Sequence, residues 1–566
     1  MRCLYPLWAA ALLCACSPNE SAITPANPNK ASPVRVSQAQ AGSTLVEFDE
    51  ARFRSDIQAL SSDAFEGRAP TTRGEQLTLD YLSKAFADMG LQGAYRGSFL
   101  QPVPMVSYTA SEQQTIRIAD LPLQYRKDIV LSSRHDNGGI DIAHAPLVFV
   151  GYGVNAPEYQ WNDYQGLDMK GKIAVILVND PGFARPDSGK FNGKAMTYYG
   201  RWSYKFEEAS RQGALGALII HDTAPASYPW SVVENSWTGP QQDLVLSKAE
   251  RDSRVQVEGW LTLDAANRIF DKAGLSLPSL MAHAADGPIH QGLQQTANMT
   301  FANQAQYATS YNLVATLPGN SQADEQILFT AHWDHLGKDE TKEGDKIYNG
   351  ALDNASGTAG ILEIARQFAQ RAKQGQGLQR SLTFIATTGE EQGLLGSRYY
   401  AANPIYPLAK TVAVLNLDST NVYGRTRDFT IVGKGKSELE DYLVEAAKGQ
   451  NRIALGEKNP ASGGFFRSDH FSFAKFGVPA VFAGGGSEPL DPATASYKTQ
   501  MEAKMKGCYH NACDEYREDW DLSGALQDMQ VYYQAVAKLA DSDQWPGYYP
   551  DTEFYSLRPA SKQAAH

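Results

Sequence analysis

Three stretches of this 566-residue chain end a short apolar run in groups that bind cations or carry protons. Ile327-Leu-Phe-Thr-Ala leads into His332-Trp-Asp334-His335-Leu-Gly337. Ser381-Leu-Thr-Phe-Ile-Ala-Thr387 leads into Thr-Gly-Glu390-Glu391. Thr411-Val-Ala-Val-Leu-Asn-Leu417 leads into Asp418. Each run reads as a buried strand, because it is short, apolar and followed by a turn signal or an acid. In an open α/β sheet, ligands gather beyond the carboxyl ends of the strands. One His-Asp pair at such an end is more often a hydrogen-bonded structural pair. Three strands delivering His, Glu-Glu and Asp to one rim are hard to explain that way. Carboxylates crowded into a crevice repel and raise one another's pKa unless a cation neutralises them. The pattern predicts a metal site.

Other stretches offer further ligands. Asp353, in Asn349-Gly-Ala-Leu-Asp353-Asn-Ala-Ser-Gly, precedes an amphipathic helix through Ile361, Leu362, Ile364, Ala365 and Phe368, so it reads as a ligand or as a helix cap. Cys508-Tyr-His510-Asn-Ala-Cys513-Asp514 could form a thiolate zinc site, but the chain offers no second cysteine pair to complete four ligands. A disulfide between Cys508 and Cys513, bracketing His510, is the expectation in an oxidising compartment. His470, in Phe465-Phe466-Arg467-Ser-Asp469-His470, competes with His510 as the last ligand, and spacing does not choose between them.

The elements that must position these groups follow from the rest of the chain. Residues 1–16 have a positive residue, a short apolar core and small residues, which is an export signal too short to span a membrane. Leu13-Cys-Ala-Cys16 resembles a bacterial lipoprotein cleavage box, so Cys16 is the lipidation candidate, with ordinary secretion as the alternative. The expected location is the periplasm or outer membrane, with membrane contact only through that anchor. Residues 17–44, rich in Ser, Pro, Asn and Ala, read as a tether. Residues 45–135 open with two helices, Phe48 to Leu60 and Arg73 to Met89. The second carries Leu77, Tyr81, Leu82, Ala85 and Phe86 on one face and stops at Gly90. Residues 136–304 are β-rich and read as an inserted accessory unit. Regular α/β alternation fills 305–545, and 546–566 is a tail. A net charge of −12 argues against nucleic acid as a partner.

His332-x-Asp334, Asp353-Asn-x-Ser-Gly, Glu390-Glu391, Asp418, Ser468-Asp469-His470 and Tyr509-His510 together resemble, in order, the M28 family of di-zinc peptidases. The inserted unit, by Gly171-Lys-Ile-Ala-Val and Gly213-Ala-Leu-Gly-Ala, resembles the protease-associated domain. The resemblance implies an α/β fold of zinc-exopeptidase type, with a mixed, mostly parallel sheet covered by helices on both faces and a β-rich protease-associated insertion. It implies two Zn2+ ions, one held by His332 and Asp418, the other by Glu391 and His510, with Asp353 bridging. Glu390 is then the general base, and Asp334 orients His332. Asp469 and His470 match a motif beside the site rather than its ligands. The expected activity is removal of the N-terminal residue of a peptide. The alternatives are a carboxypeptidase-type hydrolase, with Arg467 reading a substrate carboxylate, and a non-catalytic binding protein on the same fold. Phe466 is a candidate wall of the substrate pocket.

Overall fold

The computed structural model describes residues 45–558. Residues 1–44, where an export signal, a tether and lipidation of Cys16 are expected, lie outside the described residues, as do residues 559–566.

Four strands run parallel at the centre of the main sheet. Gln322–His332 lies between Arg380–Thr387 and Thr411–Asn416, and Ala480–Gly484 flanks the last of these. Register sets His332 opposite Thr387 and Thr330 opposite Asn416. The three strands that lead into the candidate ligands therefore end almost level, and the segments that follow them leave on one rim. Parallel strands covered on both faces are apolar rather than alternating; Arg380–Thr387 and Thr411–Asn416 are buried throughout, and Gln322–His332 is buried from Gln326 on. Ile327, Phe329 and Ala331 point into a core shared with Phe53, Leu82, Phe86, Leu362, Phe368 and Tyr533. Those residues come from helices Glu50–Leu60, Arg73–Met89, Gly357–Lys373 and Ser523–Ala540. Leu328 faces the other way, with Ile385 and Val414, against Tyr400 and Phe473 of helices Leu395–Ala402 and His470–Ala474.

The first two helices sit close to where the apolar periodicity puts them. Asp49 accepts from the Arg52 amide at the start of Glu50–Leu60. Arg73–Met89 is capped by Thr72 and ends on Gly90 in the left-handed region, the stop that suits glycine. Its buried stripe runs through Leu79, Leu82 and Phe86, leaving Leu77 and Tyr81 only half-buried.

The 27-residue strand Gln291–Leu317 belongs to two sheets. Its second half pairs antiparallel with Arg380–Thr387 and Leu100–Ala110; its first half pairs with Gly139–Phe149 and Thr115–Ile118. The second sheet continues through parallel neighbours Ile173–Leu177, Gly216–His221 and Val257–Thr262, then Ile129–Ser132 antiparallel. It has its own core around Phe149, Val175, Leu218 and Phe270. Two expectations need correction. Strands from Thr115 onward belong to this unit, so a boundary at 136 falls inside it, and the boundary at 304 cuts a continuous strand. Its parallel strands also alternate with helices such as Trp202–Arg211 and Leu263–Lys272, so the unit is α/β rather than simply β-rich.

Residues 546–558, expected as part of a tail, are packed against the fold. Tyr548 and Phe554 are buried, the Tyr548 hydroxyl donates to the Val478 carbonyl at 2.9 Å, and Arg558 donates to the Thr411 carbonyl at 2.8 Å.

Candidate metal centre

The ligand candidates from the three strand ends meet Asp353 and His510 at the rim. His332 closes its strand, Glu390 and Glu391 follow Arg380–Thr387 across a Thr-Gly turn, and Asp418 lies two residues past Asn416. Asp353 sits in a non-helical stretch just before helix Gly357–Lys373. Its two carboxylate oxygens point to different partners. Oδ1 is 3.2 Å from His332 Nε2, which is 3.3 Å from Asp418 Oδ1. Oδ2 is 3.2 Å from His510 Nε2, which is 3.0 Å from Glu391 Oε2. Two ligands of one tetrahedral zinc, each at about 2.0–2.1 Å from the ion, lie about 3.3 Å apart. The observed spacings fit that edge in both sets, and the shared residue is a carboxylate, the one side chain type here that offers an oxygen to each.

The electrostatics point the same way. Five carboxylates, from Asp334, Asp353, Glu390, Glu391 and Asp418, crowd a largely buried space. Burial works against the imidazolium of His332, yet Glu390, Asp418 and Asp353 outweigh it and hold its pKa well above the usual value. Burial is likewise outweighed at His510, which Asp353 and Glu391 push up to about 10. Burial opposes ionisation of Asp353 and Glu391, but the facing histidines win, leaving Asp353 far below its ordinary range and Glu391 at about 2. Glu390 goes the other way: burial, reinforced by Asp418 and Glu391, raises it well above the ordinary range despite His332. So much negative charge in one pocket calls for cations, and divalent ions would discharge it without protonating the histidines.

Asp334 serves His332 differently from the expectation. His332 Nδ1 lies 3.0 Å from the Asp334 main-chain carbonyl, whereas the carboxylate is 3.9 Å away. The carboxylate instead accepts from the Glu390 amide at 3.1 Å, fixing the turn that carries the two glutamates. Burial and the neighbouring Glu391 raise Asp334 to about 7, against the pull of His332. Asp353 is not the helix cap: Asn354 Oδ1 accepts from the Gly357 amide at 2.9 Å and also from Ser419 N at 2.9 Å.

Three supporting residues escaped the sequence reading. Arg68 is fully buried and donates to the carbonyls of Trp333, Leu60, Asn349 and Gly350 at 2.6–2.9 Å. Gly67 beside it has φ +67°, and a Cβ there would fall 2.3 Å from the Gly337 carbonyl oxygen. Asp514 accepts from the amides of Leu352 and Asp353 at 2.9 and 3.0 Å, tying the His510 loop to the bridging carboxylate. His335 Nδ1 lies 2.6 Å from Glu391 Oε1. Asp514 and His335 lie within the motif stretches of the sequence, where residue types suggest chemistry but partners are invisible; Arg68 carries no such signal.

The substrate-side candidates separate. In the Ser468-Asp469-His470 stretch it is Ser468 that reaches a ligand, donating to Asp418 Oδ2 at 2.5 Å. Asp469 is buried behind it and accepts from Thr387. His470 is buried edge-on to Phe465, and burial drives its pKa down to about 3. Among the described residues, the converging ligand sets include neither. Phe466 is buried with Phe465, Phe471 and Phe554, so it is core and not an open pocket wall. Arg467 is exposed and shares a small cleft with Arg201, Trp202 and Tyr228 of the second unit. Cys508 and Cys513 form a disulfide around His510, and the exposed ring of Tyr509 stacks on His510 at 3.8 Å.

Known proteins resemble this chain in part. It is 31% identical over 122 residues to a protein of Arabidopsis thaliana named probable glutamate carboxypeptidase AMP1, covering 21% of this chain and 16% of that one. It is 26% identical over 462 residues to aminopeptidase NAALADL1 of Rattus norvegicus, covering 70% of this chain and 55% of that one. Among solved structures, an aminopeptidase from Aneurinibacillus sp. strain AM-1 superposes with a TM-score of 0.48 at 20% identity, over 88% of this chain and 95% of that one. The chain spans from about a sixth to just over half the length of these curated relatives. Residues 312–534, which carry His332, Asp353, Glu390, Glu391, Asp418 and His510, match the family model of peptidase family M28.

Proposed function

We propose that this chain is a zinc-dependent exopeptidase that removes the N-terminal residue of peptides, using two metal ions and Glu390 as general base. One observation carries the reading: Asp353 turns one oxygen to His332 and Asp418 and the other to His510 and Glu391. The match of 312–534 to peptidase family M28 supports it, as do relatives named zinc metalloprotease and aminopeptidase. In this reading the metals are held by His332, Asp418, Asp353, Glu391 and His510. Zinc bound there supplies Lewis-acid polarisation of the scissile carbonyl and lowers the pKa of water towards neutrality. Glu390, half-buried and facing the same space, takes the proton of the attacking water. As the carbon–oxygen bond forms and the carbon–nitrogen bond breaks, it returns that proton to the departing amine. Asp334 holds the turn that aims Glu390. Tyr509, exposed beside His510, offers an aromatic surface to the substrate. We read the second unit as a protease-associated insertion and the export signal as that of a periplasmic or outer-membrane lipoprotein.

The test is a panel of amino-acid amides with a free α-amine, N-blocked peptides and C-terminal dipeptides, each with and without a chelator. Free-amine substrates should be hydrolysed and the chelator should abolish this. Activity confined to N-blocked peptides overturns the aminopeptidase reading.

A carboxypeptidase-type reaction is the second reading, favoured by the Arg467–Arg201 pair. Among the described residues Arg201 Nε is buried without a hydrogen-bond partner, and burial, aided by Arg467, lowers its pKa to about 10. Two guanidinium groups facing a cleft without a carboxylate invite an anion. Arg467 also adjoins Ser468, which holds Asp418. If Arg467→Ala raises KM only for substrates with a free C-terminal carboxylate, this reading prevails.

A further inference from the structure

We infer that His335 is a positioning residue for Glu391: its Nδ1–H holds one carboxylate oxygen so that the other is presented to the metal. The inference rests on the two-metal reading above. His335 and Glu391 side chains are both almost completely buried, and Nδ1 lies 2.6 Å from Glu391 Oε1. Glu391 Oε2, the remaining oxygen, is the one 3.0 Å from His510 Nε2. An ionised carboxylate has no proton to give, so the hydrogen in the Nδ1···Oε1 contact belongs to the ring. His335 Nε2 is buried with no partner among the described residues.

The ring's place is built into the backbone. The His335 amide donates to the Arg68 carbonyl at 3.3 Å. Gly350, at φ +54°, lies directly beneath the imidazole: a Cβ there would fall 2.5 Å from both Cγ and Cδ2. Any side chain at 350 would push the ring off Glu391, and the left-handed backbone independently favours glycine. The two halves of the centre thus differ in what lies behind the ligands. His332 is held from behind by a main-chain carbonyl, that of Asp334, while Glu391 is held by a side chain. Outer groups of this kind typically change metal affinity by about 10- to 100-fold when removed. Freed of His335, Glu391 could turn about its last torsion and offer Oε1 as well, losing the one-oxygen geometry.

The experiment titrates zinc into metal-stripped full-length protein against a chromophoric chelator, comparing wild type with His335→Ala, His335→Asn and His335→Gln. Asparagine places its amide nitrogen near the Nδ1 position, and glutamine reaches the Nε2 position instead. Wild type should bind two zinc ions. His335→Ala should keep one at wild-type affinity and weaken the other about 10- to 100-fold. His335→Asn should restore the weakened site, and His335→Gln should not. Two sites of wild-type affinity in His335→Ala overturn the inference, as does equal behaviour of the Asn and Gln variants, which stands as a test even if the Ala variant fails to fold. Failure of Asn to restore zinc would instead make the imidazole itself a ligand, also overturning it. Wild type binding fewer than two ions sinks the two-metal reading, an outcome distinct from the others.

Discussion

Asp353→Asn is the sharpest perturbation of the proposed centre. The substitution keeps the size and one oxygen but replaces the other with an NH2 group that cannot accept a lone-pair interaction with a cation. Because Oδ1 and Oδ2 face separate sets, whichever orientation the amide takes, one set loses a ligand and meets two amide hydrogens instead. Four-ligand zinc sites bind with an apparent 10–16 kcal/mol, so one ligand is worth roughly 2.5–4 kcal/mol, or about 100- to 1,000-fold in affinity. The structure also indicates which set should fail. His332 is 1% exposed on a strand end, whereas His510 is 36% exposed on a loop. The buried set should keep the oxygen and the loop set should release its zinc. Elemental analysis after dialysis against a weak chelator should therefore fall from two zinc ions per chain to one, with turnover lost alongside. A variant that retains two ions at wild-type affinity refutes the bridging role of Asp353 and, with it, the geometry proposed for the centre.

The other expectations concern the base, the buried guanidinium and a remote acid. Glu390→Gln should retain both metals while turnover drops by about 100- to 10,000-fold, the range general acid–base catalysis contributes; near-normal hydrolysis would remove Glu390 from the role of base. Arg68→Met removes a donor from four buried carbonyls, of which that of Gly350 keeps the Ala355 amide; three unpartnered carbonyls at about 1 kcal/mol or more each should appear in urea unfolding of the metal-loaded protein as a loss of about 3 kcal/mol, with Arg68→Lys intermediate. A change under about 1 kcal/mol would mean that those carbonyls find other partners. Asp163, in the second unit, is raised to about 7 by burial, against donors from Val154, Ile289 and Trp161. An acid whose folded pKa lies above its unfolded value favours the fold most below the unfolded pKa of 3.8, and that contribution disappears as pH climbs through about 7. Relative to Asp163→Asn, wild type should lose stability across that window, by up to about 1.4 kcal/mol per pH unit. A pH-independent difference between the two would place the group's titration elsewhere.

Much of this architecture was legible from residue pattern alone, and the reasons are physical. The strands ending at His332, Thr387 and Asn416 announce themselves because parallel strands under helices must be apolar, so the polar residue that ends each run stands out. Gly90 marks a helix end because the left-handed backbone there suits few other residues. The second unit's limits were not legible, since Gln291–Leu317 changes sheets without a turn, a break in hydrophobicity or a glycine cluster to mark it. Phe466 misled for a related reason: apolar residues in a loop look like pocket walls in sequence, but this loop folds inward onto Phe471 and Phe554. Arg68 was invisible because all four of its acceptors are main-chain carbonyls, which every residue possesses.

Those hidden contacts explain how the candidate ligands, from distant parts of the chain, hold register. The segments that carry His332, Asp353, Asp418 and His510 are tied together through main-chain groups. Thr358 donates to the His332 carbonyl, joining the helix after Asp353 to the first strand. Asn354 reaches both Leu417 and Ser419 on either side of Asp418. Asp514 binds the amides of Leu352 and Asp353, and Arg68 spans Trp333, Asn349 and Gly350. None of these contacts uses a carboxylate oxygen or ring nitrogen of the candidate ligands. A ligand held by its neighbours' backbones spends little conformational entropy when an ion arrives, which favours tight binding by pre-organisation. The same logic locates the weak point. In the proposed centre Glu391 is backed by one imidazole and His510 lies on a short, part-exposed loop, whereas His332 closes a buried strand, so the Glu391–His510 half is the one from which a metal should leave first.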